Sequence, residues 1–202
     1  GDEDLVIAVH IGPAGGPRGY QAITGKSPWG IAWYLNGILI PRLILRRGRT
    51  YTFIINGGNN AFEDAAYHPF YITDSPIGGY AQKWPNELIQ ETTYLGVEVT
   101  SVLPGIGVTG YFTTGVGPLC KIKETEQTTD AVRLGSFEDY AKTLDMSCAN
   151  DPAIVDNAAV LTFTPDETTP DRLYYHCATH TNLGYEVIVL DDADAAQNNS
   201  NA

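Results

Sequence analysis

The chain has 202 residues, with 24 acidic side chains against 12 Lys and Arg, a formal net charge of -12 and a pI near 4.5. A charge of that sign repels nucleic acid at long range, which removes nucleic-acid binding from the functions to consider. No apolar run approaches the roughly 20 residues of a membrane-spanning helix, and the length suits one all-β domain able to bury a core.

The opening residues, GDEDLVIAVH, are too acidic for a signal peptide, so the chain reads as a mature or excised soluble piece. His10 lies in this strand-like segment and is assigned no role. The stretch GILIPRLILRRGRTYTFIIN gives an apolar run, Pro41, a second run from Leu43 to Leu45, a turn at Gly48 and the alternation Tyr51, Phe53, Ile55. This pattern predicts a pair of strands in a sandwich. The basic cluster LRRGR (Arg46, Arg47, Arg49) falls at the strand-to-turn junction and is expected to face solvent. Turn chemistry follows at NGGNN (Asn56 to Asn60) and at SPIGG (Ser75 to Gly79).

About eighty residues separate HPFYITDSPIGGY from Ala159, too many for an ordinary loop, so this part needs structure of its own. YLGVEVTSVLPGIGVTGYFTTG (Tyr94 to Gly115) supplies a further strand pair, and SFEDYAKTLD (Ser136 to Asp145) predicts a short helix, with Ser136 as N-cap and Asp139 three residues on. Toward the C-terminus, AVLTFTP alternates Leu161 and Phe163 against threonines. LYYHC sets Leu173, Tyr175 and Cys177 on one face, and YEVIVL forms the last strand. The tail DDADAAQNNSNA is poor in apolar residues and is expected to be disordered; it carries the glycosylation sequon Asn198-Asn199-Ser200. Three cysteines are most economically read as one disulfide plus one free thiol, which favours an oxidising, extracellular setting.

Strand alternation turns Cys177 inward with Leu173 and Tyr175. His180 follows in the turn before the last strand, close enough for a short loop to return it to the sulfur. His68, which ends a Gly/Asn-rich loop and opens a strand, is the third candidate ligand. Two imidazoles and one thiolate form the trigonal set that suits copper and one-electron chemistry. His176 points to the opposite face from Cys177 and is expected at the surface or in a second layer rather than as a ligand.

A histidine far upstream after an alternating strand, then Cys-x-x-His between the last two strands, resembles the cupredoxin pattern. The segments NGILIPRLILRRGRTYTFIINGG, YHPFYITDSPIGGY and FTPDETTPDRLYYHCATHTNLGY are similar to the plastocyanin-like domain at the C-terminal end of Skeletor-type secreted animal proteins. The resemblance runs from about Trp33 to Leu190. It implies a cupredoxin-type Greek-key β-sandwich, all-β, with a long, partly helical, disulfide-bearing insertion at about residues 81–157 of a domain covering 1–190, followed by the tail 191–202. It places His68, Cys177 and His180 at the copper-ligand positions and pairs Cys120 with Cys148.

Many blue-copper proteins carry an axial methionine where this chain has Tyr185, so the axial place is empty, capped by the ring or filled by the phenol; Met146 is a minor candidate. Pro69 follows the first histidine and has no N–H to give the cysteine sulfur, a loss that raises the potential. The His-Pro pair also resembles laccases, yet Phe70, Tyr71 and Ile72 stand where further histidines would be needed, and four histidines cannot build a trinuclear cluster as well.

Other readings of the group are a buried structural thiol beside a satisfied histidine, a zinc site, for which Tyr185 is a poor fourth donor, and a Cys/His nucleophile, for which no third orienting group is evident. The acidic pairs Glu63/Asp64 and Asp191/Asp192 read as solvated surface. The sequence thus points to a secreted or cell-surface protein binding one copper ion, type-1-like, and acting in electron transfer with a redox partner, a basic one by electrostatic steering. It is not expected to be a stand-alone enzyme. The rival readings are a structural or interaction module in which copper is structural or absent, and copper storage or delivery.

Overall fold

A computed structural model describes residues 5–125 and 135–192. The sequon Asn198-Asn199-Ser200 and most of the tail lie outside these residues. In chain order come β1 (Leu5–Pro13), α1 (Tyr20–Thr24), β2 (Ile31–Leu35), β3 (Ile38–Leu39), β4 (Leu43–Arg46) and β5 (Tyr51–Asn56). Next are β6 (Phe70–Thr73), α2 (Pro85–Leu88), β7 (Thr93–Leu95), β8 (Val97–Leu103) and β9 (Gly107–Thr113). The chain continues through β10 (Lys123–Glu124), α3 (Phe137–Ala141), β11 (Leu144–Asp145), α4 (Pro152–Val155), β12 (Ala159–Phe163), β13 (Arg172–Cys177) and β14 (Tyr185–Leu190).

The architecture is an all-β sandwich. One five-stranded sheet has the order β12-β5-β1-β2-β3 and the other β4-β14-β13-β6-β7. Pairing is antiparallel except between β1 and β5 and between β4 and β14. The apolar positions of each alternating strand turn inward, so that Phe53, Trp33, Phe70 and Tyr175 meet between the sheets. Burying each such side chain contributes about 1.5–3 kcal/mol.

β4 and β5 are both strands, as their pattern requires, but they do not pair with each other. The turn at Gly48 passes the chain from one sheet to the other, β4 running beside β14 and β5 beside β1. Of the LRRGR cluster, Arg47 is only partly solvent-facing: its guanidinium joins Asp171 and Asp191, while Arg49 holds Asp192. Asp191 stays at the solvated surface, 86% exposed, and Asp192 is partly covered, both paired with arginines beside the end of β14.

The region between β6 and β12 is not a separate appendage. β7 completes the second sheet, and the segment around Cys120 bonds to the first, Ile11 N–H to Cys120 O and Ile122 N–H to Ile11 O. The hairpin of β8 and β9, with α2, covers the outer face of the second sheet, where Tyr71, Tyr80, Leu88, Val97, Val108 and Ala178 form a smaller core. This explains why every residue of β6 is buried: Phe70 and Ile72 face the main core, Tyr71 and Thr73 the covered outer face. The Ser136 hydroxyl accepts from Asp139 N–H and starts α3. Cys120 and Cys148 are disulfide-bonded, and Cys177 is a buried free thiol.

Candidate metal centre

Cys177 ends β13 with its side chain in the main core, wholly buried. The neighbouring strand positions Phe70 opposite it, so the two residues before β6, His68 and Pro69, lie at the same end of the sandwich. Pro69 offers its carbonyl to Ala178 N–H, which ties the two chain segments together beyond the last ladder pair. The NGG turn makes the approach of His68 possible. A side chain on Gly57 would lie 2.4 Å from the His68 carbonyl oxygen and 2.5 Å from the Trp33 ring, and Gly58 has φ +102° against the Ala66 carbonyl.

His180 is carried by the tight connection from β13 to β14. Asn182 adopts φ +59° and donates its N–H to Ile77 O, Trp33 N–H bonds Leu183 O, and Tyr20 donates its hydroxyl to Gly184 O. His176 secures the same loop. Its Nδ1 accepts from Gly184 N–H at 3.2 Å and its Nε2 lies 3.0 Å from Pro76 O, so the ring carries its proton on Nε2. It is buried behind the 75–79 turn, not at the surface, and burial pushes its pKa down to about 3.

These elements bring three donor atoms together. Cys177 Sγ is 3.9 Å from His68 Nδ1 and 3.8 Å from His180 Nδ1, and one ligand atom from each residue lies within 4.8 Å of the others. A sulfur and a nitrogen bonded to one ion at about 2.3 and 2.05 Å stand about 3.6 Å apart at a tetrahedral angle and about 3.8 Å at a trigonal one. The two sulfur-to-nitrogen spacings thus fit donors that share an ion, while the two imidazole nitrogens, bounded only at 4.8 Å, would draw together on it. Among the described residues this is the single group of this kind.

The protonation state is set by burial. His68 Nε2 lies 3.2 Å from Ala65 O, which fixes the proton there and leaves Nδ1 bare toward the sulfur. Its pKa is pushed down to about 4 by burial, reinforced by His180, and that of His180 is lowered by burial too. The Cys177 thiol is pushed up to about 11 by burial. Without an ion the group is uncharged at neutral pH: a thiol and two neutral imidazoles.

Two participants escape a search for metal-ligating residue types. Thr179 Oγ1 is 3.2 Å from Cys177 Sγ and 2.9 Å from His180 Nδ1 while donating to Tyr67 O at 3.0 Å. Its signal in the sequence was its place inside Cys-x-x-His. Trp29, 61% exposed, sets its ring edge-on to His180 at 6.2 Å between centroids. The residues considered for the axial place are engaged elsewhere: the Tyr185 ring lies 5.8 Å beneath the Arg42 guanidinium, and the Met146 methyl abuts the turn at Gly37. His10 is buried in β1, its Nδ1 without a hydrogen-bond partner among the described residues. Glu63 and Asp64 are exposed, although the charge of Asp64 reaches both His68 and His180.

No protein-family profile matches the chain, and no solved structure matches it. It is 43% identical over 195 residues, 96% of its length, to Protein Skeletor, isoforms B/C, of Drosophila melanogaster, and equally to isoforms D/E. The chain spans 23% of the first relative and 12% of the second. Over nearly its whole length it is therefore a homologue of one segment of Skeletor.

Proposed function

We propose that this chain is a cupredoxin-type domain, one unit over residues 1–190, that binds a single copper ion through His68, Cys177 and His180 and passes single electrons. The observation that carries the reading is the pair of sulfur-to-nitrogen separations, 3.8 and 3.9 Å, between donors of which two are buried and one is half-exposed. Copper held there supplies a one-electron couple. The protein's part is to fix the donors: Ala65 orients His68, the ladder between β6 and β13 fixes Cys177, and the bonds from Ile77, Trp33, Tyr20 and His176 hold the His180 loop. Of the three donors only His180 is partly exposed.

The Cys120–Cys148 disulfide, and the lack among the described residues of any helix able to cross a membrane, accord with a secreted or cell-surface setting. The net charge of -12 favours a basic redox partner. A second reading is a structural or interaction module, favoured by the chain matching only one segment of much longer relatives. Loading the protein with one equivalent of Cu(II) separates the two. An intense thiolate-to-copper absorption with narrow hyperfine splitting, lost in Cys177→Ser, establishes the site. A colourless protein, or an ordinary Cu(II) signal indifferent to Cys177, refutes electron transfer and leaves the module.

A further inference from the structure

We propose that Thr179 is the fourth donor of this centre, its hydroxyl oxygen joining His68, Cys177 and His180 in holding the ion. The inference rests on the metal-binding reading above and concerns a residue type that such sites do not ordinarily announce in sequence.

The hydroxyl has one proton, and the structure assigns it to Tyr67 O at 3.0 Å. Both remaining contacts, to Cys177 Sγ at 3.2 Å and His180 Nδ1 at 2.9 Å, are therefore accepted by its lone pairs. The oxygen already faces the two atoms that would hold the ion, and its orientation is fixed from behind by a backbone carbonyl. An oxygen about 2.2 Å from an ion, at right angles to bonds of about 2.3 Å to sulfur and 2.05 Å to nitrogen, stands about 3.2 Å from the sulfur and about 3.0 Å from the nitrogen. The 3.2 and 2.9 Å separations in the structure are close to these two values.

The same contacts describe what happens when an ion enters. Without it, His180 Nδ1 carries a proton given to Thr179, and Cys177 carries a thiol proton. Were an ion to bind, the thiol proton would leave to solvent and the imidazole proton would move from Nδ1 to Nε2, which would free the lone pairs of Thr179 toward the ion. Thr179 thus holds His180 in its ligating position in the metal-free chain and becomes a ligand in its own right afterward. Tyr185 and Met146, with their side chains at Arg42 and Gly37, do not compete for the place.

The test compares wild type with Thr179→Val, which keeps the volume and removes the oxygen, and Thr179→Ser, which keeps the oxygen. Full-length protein is titrated with Cu(II) against a competing chelator, and absorption and electron paramagnetic resonance spectra are recorded, with the melting temperature of each metal-free form. Expected are a shifted spectrum and an affinity lower by about tenfold or more in the valine variant, and wild-type behaviour in the serine variant. Thr179→Ala, which adds no bulk, serves the same purpose if the valine variant does not fold. Unchanged spectrum and affinity in the folded variant lacking the hydroxyl overturn this inference alone, even if its melting temperature falls. A wild-type protein whose copper spectrum equals that of Cys177→Ser overturns both the inference and the reading beneath it.

Discussion

Raising the pH should tighten copper binding by about tenfold per unit over a wide range, because the free site holds one proton that the occupied site cannot. The thiol of Cys177 titrates at about 11, and His68 at about 4, with His180 also below its usual 6.5. Between about 6.5 and 11, therefore, both imidazoles are neutral and only the thiol proton must be expelled. Stripping that proton at neutral pH costs about 5 kcal/mol, which the metal–thiolate bond must offset. From pH 6.5 to 8.5 the dissociation constant should fall about a hundredfold. Below that window the dependence should steepen as the two imidazoles take up protons, His68 at about 4. Calorimetric titrations in two buffers of different ionisation enthalpy count the released protons directly. One proton per ion, absent in Cys177→Ser, is the expected result. No release in wild type would mean that the thiolate is preformed or that Cys177 is not a ligand, and would refute this account of the site.

The metal-free protein should lose stability as pH falls from about 6.5 toward 3, because His176 and His68, with folded-state values of about 3 and 4, bind protons only after unfolding; an acid-insensitive melting temperature would contradict their buried neutral state. Glu91 accepts from Tyr71 at 2.9 Å and Thr73 at 2.7 Å and pairs with Lys83 beneath the second sheet's outer face. Glu91→Ala should cost about 3–5 kcal/mol in urea denaturation, since it strands a largely buried ammonium, and a cost under about 1 kcal/mol would show the group is hydrated. Replacing Cys120 and Cys148 by alanine opens a loop of 28 residues and should cost about 3–4 kcal/mol, with little change at the metal site if the disulfide serves only to hold the insertion. Intact copper spectra alongside the lower melting temperature are the result to look for.

The strands were legible because alternation is local. Leu173, Tyr175 and Cys177 share a face whatever the rest of the chain does, and the Ser136 cap announces α3 within four residues. The closeness of Cys177 and His180 is likewise dictated by the chain, since only two residues lie between them. What the sequence could not decide was anything set by pairing across distance. Sequence pattern identified β4 and β5 but not that they join opposite sheets, because sheet membership depends on the distant partners β14 and β1. It marked His68 as a candidate, yet bringing its Nδ1 to 3.9 Å from a sulfur 109 residues away required the register of β6 on β13 and the glycines that let the backbone pass. Of the two places open to His176, surface or second layer, the second was decided by the hairpin of β8 and β9, α2 and the 75–79 turn, which cover a face that in an ordinary sandwich meets water. Thr179 turned its hydroxyl to the centre only because Tyr67, far off in sequence, takes its proton. Local pattern thus specified which residue types were on hand, while the long-range hydrogen bonds, whose partners no short window contains, decided which of them converge.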